Sequence, residues 1–332
     1  AATNNGFGIA GVDPLARIMP LKVLNFIGRG RSSHIAAAIY YAIDNGARVI
    51  NLSLGGERLS AVEERALRKA HAAGLVTVIA AGNEGREIKD SLLSEIPSVL
   101  VVAASDTENH RARFSNWGRA ISVTAPGVDI LSLRARDTDL IRFSGAANYK
   151  DGAASVGEQF YRASGTSFAA AYVSGVASWL LSHRPTLNGT QVARIISQSA
   201  RDIEAPGVDA LTGYGLVDAQ AALAWDADVW LEARIDAVDL SMRDGATRVC
   251  VLGTADADQF VNAHLRAAPE RYPNDWIELT TPVTKSIRNN VLAEFDPWLL
   301  RGSRRWILQL VVSHANGKQR EARFIADLGS AP

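Results

Sequence analysis

The chain contains a single cysteine, and its charges show no excess of either sign. Because Cys250 is alone, an internal disulfide and a metal centre built on several cysteines are both excluded. The 35 Lys and Arg residues balance the 35 Asp and Glu residues. No net positive field therefore attracts nucleic acid or an anionic membrane, and we predict neither as a partner.

Long apolar runs of the kind that cross a membrane are also missing. The longest uncharged segment, 164–182, carries six Ser and Thr residues and two glycines. It is too polar for a lipid-facing helix, so we predict a helix buried inside a protein and no membrane span. The first residues lack the basic and then apolar pattern of a signal peptide, and the first residue is Ala. We expect the N-terminal part of the natural protein to be missing.

What the sequence does contain is typical of a globular protein. Hydrophobic residues make up 47% of the 332 positions and charged residues 21%. The length predicts two domains or one large one.

Apolar runs alternate with helical patterns over the first two thirds of the chain. Most of the runs are continuously apolar, as strands covered on both faces are. The predicted strands are Ile18–Leu24, Arg48–Leu54, Leu75–Ala81, Ser98–Ala104 and Ile121–Ala125. The predicted helices are Ser33–Asn45, Leu59–Ala73, Phe168–Leu181 and Thr190–Ala200, and in the second of them Ser60 and Glu63 form a capping box. This order predicts an α/β fold with a parallel sheet and helices on both of its faces.

The pattern changes near Trp225. Shorter, alternating and β-branched runs follow, and five of the seven tryptophans lie at or beyond this position. The predicted strands here are Trp230–Ile235, Thr247–Leu252, Val291–Phe295, Trp306–Val312 and Glu321–Ala326. We predict an α/β domain over residues 1–225 and an all-β sandwich over residues 226–332, with Cys250 as a small core residue.

Three short motifs carry candidate chemistry. Ser167 follows Gly165-Thr166 at the start of a predicted helix, where it is either a plain N-cap or a nucleophile whose N–H faces a developing oxyanion. Asn83 follows a buried strand, where it either caps a turn or donates to the same oxyanion. The strand before Gly55-Gly56 either exits into an ordinary loop or offers an edge to an extended peptide.

In their order and spacing these motifs resemble the subtilisin-like serine proteases, the subtilase family. The matching stretches include AIDNGARVINLSLGG, VIAAGNEG, RFSNWG, TAPGVDILS and SGTSFAAAYVSGVASWLL. The likeness runs from residue 1 to about residue 223.

The resemblance implies a serine endopeptidase that acts on polypeptides through an acyl-enzyme. Ser167 corresponds to the nucleophile and Asn83 to the oxyanion-hole side chain. The residues that correspond to the substrate strand and the specificity pocket are Ser53, Leu54, Gly55, Ala80, Ala81 and Gly82. The resemblance also implies an extracellular or cell-surface location.

The family's aspartate and histidine motifs do not occur in the 332 residues. A serine hydroxyl needs a base and an orienting carboxylate, so we expect both to lie upstream and the isolated chain to be inactive. We also expect the chain to be either aggregation-prone or bound to its partner, the missing N-terminal segment of the same protein. Each of the six histidines has an ordinary structural interpretation, and none lies in an H-G-T-H context.

Two further features are interpreted through the resemblance. No cofactor is required for the chemistry, but Thr3, Asn5, Phe7 and Ile9 resemble part of a structural Ca²⁺ loop, with a plain Asn-Gly turn as the alternative. The polar stretch 143–161 is predicted to be a surface loop near the site.

Two other hypotheses remain open. Ala171 and Tyr172 replace the family's proline and histidine after the nucleophile. With the absent Asp and His, the replacement at Ala171 favours a catalytically inactive subtilase-like binding or surface protein. The other hypothesis is that the Asp and His arrive on a second chain.

Overall fold

The computed structural model describes residues 3–25, 27–54, 59–88, 92–134, 154–156, 159–243 and 245–327. By internal contacts the chain divides into two compact units. The first comprises residues 1–204 and 210–227, and the second comprises residues 205–209 and 228–332.

The first unit is built on a parallel sheet, as the sequence predicts. Its strands, in the spatial order β1-β2-β3-β4, are β1 (Val49–Leu52), β2 (Val76–Ala80), β3 (Val99–Ser105) and β4 (Val123–Pro126). Its helices are α1 (Ser32–Asp44), α2 (Ala61–Ala72), α3 (Thr166–His183), α4 (Gly189–Gln198) and α5 (Ala219–Ala224), with a 3-10 turn at Leu92–Glu95. The predicted capping box is present at the start of α2, where the Glu63 N–H donates to Ser60 Oγ and the Glu63 carboxylate accepts from the Ser60 N–H.

Apolar clusters cover both faces of this sheet. Val102 of β3 packs with Val176 and Leu180 of α3 on one face. Val101, its neighbour in sequence, packs with Ile39 of α1 in the cluster on the other face. Because neighbouring residues of a strand point to opposite faces, a strand covered on both sides must be apolar throughout.

The prediction of a strand at Ile18–Leu24 is wrong. Leu24 makes one isolated antiparallel bridge to Gly30, and no strand is assigned from residue 18 to residue 23. Ile18 is 83% exposed. An apolar run becomes a strand only where a neighbouring strand accepts its hydrogen bonds, and in the described part of the chain β1 pairs with β2 alone.

A small antiparallel sheet precedes α3. It consists of β5 (Ile130–Leu133), β6 (Ala154–Val156) and β7 (Phe160–Ala163), in the order β5-β7-β6. The predicted surface loop 143–161 is therefore wrong for 154–156 and 160–161, which are strand residues. Residues 143–153 and 157–158 lie outside the described residues.

The second unit is all-β and antiparallel, as predicted. One sheet has the order β11-β10-β13-β14 and the other the order β12-β9-β8. The strands are β8 (Leu231–Arg243), β9 (Ala246–Ala257), β10 (Phe260–Pro269), β11 (Ile277–Glu278), β12 (Ile287–Phe295), β13 (Arg305–His314) and β14 (Gln319–Asp327), with a 3-10 turn at Pro297–Leu300.

The two sheets of the second unit share one apolar core. Val249 of β9 and Phe295 of β12 pack in the same cluster as Leu265 of β10 and Leu308 of β13. The sequence prediction missed β10 and β11. Cys250 is a buried free thiol, as predicted, and burial raises its pKa.

Candidate active site

Ser167 lies in the first turn of α3. The helix begins at Thr166, and its N-cap is Gly165 rather than Ser167. Backbone N–H groups in a first turn have no acceptor within the helix, so they are donors for an anionic group placed at the helix start. The core behind this turn is tightly packed, because Thr166, Ala169, Ala170 and Val173 are almost completely buried.

Asn83 is bound to the start of the same helix. It follows β2, and its Oδ1 accepts the Thr166 N–H at 2.8 Å and the Thr166 hydroxyl at 3.0 Å. Thr166 Oγ1 also accepts the Gly82 N–H at 3.1 Å. Because the carbonyl oxygen of the Asn83 side chain is turned toward α3, the NH₂ group forms the opposite end of that side chain.

Ser53, at the end of β1, contacts Ser167 directly. The Ser53 hydroxyl donates to the Ser167 carbonyl oxygen at 3.0 Å, and the Ser167 hydroxyl lies 3.5 Å from the Ser53 carbonyl oxygen. Asn51 Nδ2 donates to Ser53 Oγ at 2.9 Å, and Ser174 of α3 donates to Asn51 Oδ1 at 2.9 Å. These bonds fasten the end of β1 to the beginning of α3.

The structure thus brings three of the predicted site residues to one edge of the sheet. Ser53, Asn83 and Ser167 are linked there, directly or through Thr166. Leu54 follows Ser53, and Ala80, Ala81 and Gly82 lead from the end of β2 to Asn83. Gly55 lies outside the described residues. These positions correspond to the carboxyl ends of parallel strands, where α/β proteins place their sites.

A residue that the sequence analysis did not single out holds the turn around Asn83. Asn116 is buried, and its Oδ1 accepts the N–H groups of Glu84 and Arg86, both at 3.1 Å. Its Nδ2 donates to the Ala81 carbonyl at 3.0 Å and to Glu84 Oε2 at 2.6 Å. The side chain therefore binds the turn on both sides of Asn83. The sequence contains a signal for the importance of Asn116, because this residue lies within the matched motif RFSNWG.

Gly82 is required by this close packing. Its φ of +99° lies in the region that side chains disfavour, and a Cβ on it would collide with Asn116 Nδ2. The Asn116 N–H also donates to the Gly82 carbonyl at 3.0 Å. Glycine at this position lets the turn approach Asn116 closely enough to form these bonds.

No base for Ser167 is found in the described part of the chain. There, the hydrogen bond of Ser167 Oγ is the long one to the Ser53 carbonyl. Three of the six histidines are bonded elsewhere. Among the described residues, His71 bonds Ser98, His183 bonds the Trp179 carbonyl and His314 bonds Asp258.

The predicted calcium loop has few suitable donors. Thr3 Oγ1 is buried without a partner, but Asn5 Oδ1 accepts the Phe7 N–H at 3.1 Å. Residues 3–9 contain no carboxylate, and no cluster of three His, Cys, Asp or Glu residues occurs in the described part. Neutral oxygens without a carboxylate form at most part of a Ca²⁺ site. Calcium at Thr3, Asn5, Phe7 and Ile9 therefore stays a prediction that requires a carboxylate from outside this segment.

Comparison with known proteins gives a consistent result. The family model described as "Subtilase family" matches residues 1–215. Subtilisin DY of Bacillus licheniformis is 35% identical over 225 residues, which are 67% of this chain and 73% of that protein. A thermostable alkaline protease of Halalkalibacterium halodurans is 35% identical over 222 residues, which are 67% of this chain and 55% of that protein.

Solved structures resemble the same part of the chain. A protease structure from Pseudoalteromonas arctica PAMC 21717 superposes with a TM-score of 0.55 and 31% identity, over 68% of this chain and 67% of that one. A lanthipeptide protease superposes with a TM-score of 0.52 and 27% identity, over 64% of this chain and 71% of that one. The chain thus spans between about half and three quarters of the length of the proteins it matches.

Proposed function

Because the chain belongs to the subtilase family, we propose that it is the part of a serine endopeptidase that carries the nucleophile Ser167 and the oxyanion donor Asn83. The observation that carries the proposal is the 2.8 Å bond between Asn83 Oδ1 and the Thr166 N–H. It joins the asparagine to the residue before the serine, which supports the proposal that both groups act on one bound carbonyl.

In the proposed reaction a polypeptide lies extended along the chain that follows β1, at Ser53, Leu54 and Gly55, with Ala80, Ala81 and Gly82 on its other side. Ser167 Oγ attacks the scissile carbonyl carbon and loses its proton to a base. The C–N bond of the tetrahedral intermediate then breaks, the amine leaves with a proton, and an acyl-enzyme remains. In the second half of the reaction, water attacks the carbonyl carbon of this ester and loses a proton to the base. Ser167 Oγ then leaves with a proton, and the acid product is released.

The negative charge of the tetrahedral intermediate develops on the former carbonyl oxygen. The NH₂ group of Asn83 and the N–H of Ser167 donate to it in this proposal. Both donors are fixed before substrate arrives, because Thr166 holds Asn83 from one side and Asn116 holds its turn from the other. Preorganised donors stabilise charge in the transition state without further rearrangement.

We propose that a segment outside this chain supplies the base and the carboxylate that orients it. The lack of a histidine beside Ser167 in the described part supports this, as does the partial coverage of the relatives. In the described residues, β1 is an edge of its sheet and Leu15 and Ile18 are 88% and 83% exposed. A missing strand and helix would cover such a surface.

The experiment compares two forms of the protein, residues 1–332 alone and the same chain preceded by its natural upstream sequence. We expect the longer form to hydrolyse a fluorescent casein, the Ser167→Ala variant of the longer form to be inactive, and residues 1–332 alone to be inactive. Activity that survives Ser167→Ala would contradict the proposal.

A catalytically inactive subtilase-like binding or surface protein is the second candidate. The absence of a base from the described residues and the replacements at Ala171 and Tyr172 favour it. It predicts that the longer form binds polypeptides but never cleaves them. An upstream sequence without an Asp-Thr/Ser-Gly motif and a His-Gly-Thr-His motif would favour this candidate.

We also propose an extracellular or cell-surface location, on the family resemblance. Among the described residues, no helix has the length and apolarity needed to cross a bilayer. Fractionation of the native host into medium, surface and cell contents, with an antibody to the chain, tests the location.

A further inference from the structure

A cavity lies at the start of α1, outside the residues of the candidate active site. It measures about 490 Å³ and is lined by residues of the segments 22–25 and 29–34. Four basic side chains line it, namely Lys22, Arg29, Arg31 and His34. Within the described residues, none of the four forms an ion pair with a carboxylate. The positive charges of Lys22, Arg29 and Arg31 are therefore not neutralised by an ion pair within the described residues.

The sequence around the cavity makes this concentration of positive charge unusual. No acidic residue occurs between Asp13 and Asp44, although the whole chain has equal numbers of acidic and basic residues. A concave surface lined by charges of one sign concentrates the field and attracts the opposite charge. The cavity thus suits a carboxylate or another anionic group.

The wall of the cavity is shaped by a tight turn. Asn25 Oδ1 accepts the Arg29 N–H at 2.9 Å, and the Asn25 N–H donates to the Arg29 carbonyl at 2.8 Å. Leu24 and Gly30 form an antiparallel bridge beside it. These bonds fix the backbone that carries Arg29 and Arg31. The Cα positions from which the two arginine side chains project are therefore defined.

The topology places this cavity at the edge of the sheet where Ser167 lies. α1 ends at Asp44 and β1 begins at Val49, so the end of α1 lies near the beginning of β1. Ile39 of α1 and Ile50 of β1 belong to one apolar cluster, so the helix and the strand contribute to the same part of the core. The first turn of α1 is therefore at the same edge as the end of β1, where Ser53 contacts Ser167.

We propose that this cavity receives an acidic side chain of the polypeptide substrate. A peptide that extends along the end of β1 passes the first turn of α1, because both lie at one edge of the sheet. Glu or Asp a few residues from the scissile bond then meets Arg29, Arg31 and Lys22. This inference rests on the proposed function and adds to it a preference for acidic substrates.

The test measures peptide binding without cleavage. Fluorescein-labelled ten-residue peptides, one with three Glu residues and one with Gln in their places, are titrated with the Ser167→Ala variant of the longer form and followed by fluorescence anisotropy. We expect about fivefold tighter binding of the Glu peptide in 50 mM salt and loss of the difference in 500 mM salt, because exposed charges are screened. Equal affinity for the two peptides in 50 mM salt would overturn the inference.

Two double variants in the same background locate the effect. Arg29→Gln with Arg31→Gln removes the two arginines of the cavity, and we expect it to abolish most of the preference for Glu. The matched control is Arg65→Gln with Lys69→Gln, which removes two exposed charges from α2, and we expect it to keep the preference. Equal losses in both double variants would contradict the cavity as the binding site. All four positions are exposed, so folding is preserved, and circular dichroism verifies it.

Inorganic phosphate separates a peptide site from a site for small free anions. If phosphate binds the cavity and the Glu peptide gains nothing over the Gln peptide, the inference is overturned in favour of a free-anion site. The cleavage assay on the longer form gives an independent outcome. Acidic preference together with an inactive longer form would support the binding site and reject the protease, whereas activity without acidic preference would reject only this inference.

Discussion

Asn83 is the residue on which the proposed chemistry depends most after Ser167. Its carbonyl oxygen is used by Thr166 on α3, so the orientation of its amide is fixed by the fold. The same two bonds connect the ends of β2 and α3. A change at this position therefore removes the proposed oxyanion donor together with two bonds that hold the start of α3.

We predict that Asn83→Ala, in the longer active form, lowers kcat by about 10²–10³ and changes KM little. This magnitude is the one known for subtilisin itself, where deletion of the corresponding oxyanion donor has this effect. The donor acts on charge that is present only in the transition state, so kcat falls. Steady-state kinetics on a peptide substrate measure both constants, and a rise in KM alone would contradict the role.

Asn116 holds the backbone of the turn that carries Asn83, the proposed oxyanion donor. We predict that Asn116→Ala destabilises the protein by about 2–3 kcal/mol, because it truncates a buried side chain and leaves the N–H groups of Glu84 and Arg86 without their acceptor. We also predict a lower kcat, since the turn that carries Asn83 loosens. Urea denaturation and steady-state kinetics test the two effects.

The matched variant for this position is Asn116→Asp, which keeps the acceptor oxygen and removes the NH₂ donor. It places a carboxylate beside Glu84, so we expect a destabilisation that is smaller at acidic pH than at neutral pH. Unchanged stability and kcat in both variants would show that Asn116 does not position the turn.

At the scale of elements, the sequence predicts what depends on local pattern. The four strands β1 to β4 and the helices α1 and α2 were predictable, because the strands are mostly apolar and the helices have apolar residues at helical spacing. Ser60 and Glu63 identified the start of α2. The segment 18–24 was not predictable in this way, because its state depends on a neighbouring strand and not on its own residues. β10 was missed because small alanines such as Ala263 and Ala267 occupy its inward positions.

In the candidate site, too, the residues with a local sequence motif were predictable and the residue that depends on the fold was not. Ser167 and Asn83 were found through motifs that are local in sequence. Asn116 was not, because its importance arises only when the fold brings it against a turn about 30 residues away in sequence.

Asp258, beside the turn between β9 and β10, joins two hairpins of the second unit. Its Oδ1 accepts the Trp230 N–H at 2.8 Å and contacts His314 Nε2 at 3.1 Å. His314 Nδ1 accepts the Asn316 N–H, so we assign the ring proton to Nε2, which donates to Asp258. Burial alone would raise the pKa of Asp258, but the hydrogen bonds from Trp230 and His314 outweigh it and lower the pKa.

A lowered pKa in the folded state makes the ionised Asp258 stabilising above its ordinary pKa. This contribution is lost as the pH falls through the folded value. We predict that Asp258→Asn costs about 2 kcal/mol at pH 7 and progressively less below about pH 4. Urea denaturation across this pH range measures the difference, with Asp239→Asn, an exposed residue of β8, as the control. A cost that is the same at pH 7 and pH 3 would contradict the assignment.

At the scale of the whole molecule, the described surface carries apolar side chains that a stable monomer covers. Leu15 and Ile18 are almost completely exposed, and β1 is an open edge in the described residues. Each square ångström of such apolar surface costs about 25 cal/mol in water. An exposed strand edge also pairs readily with another chain.

We predict that residues 1–332 alone self-associate at micromolar concentration and that the longer form is monomeric. Light scattering coupled to size-exclusion chromatography measures both masses. A monomeric sample of residues 1–332 that melts cooperatively would show that the exposed surface needs no further cover.

The most direct test of the account is covalent labelling by a fluorophosphonate, which reacts only with an activated serine. The account predicts that the probe modifies the longer form at Ser167, as mapped by peptide mass spectrometry, that Asn83→Ala slows the labelling, and that residues 1–332 alone remain unmodified. A longer form with intact fold and no adduct on Ser167, or with the adduct on another serine, would contradict it.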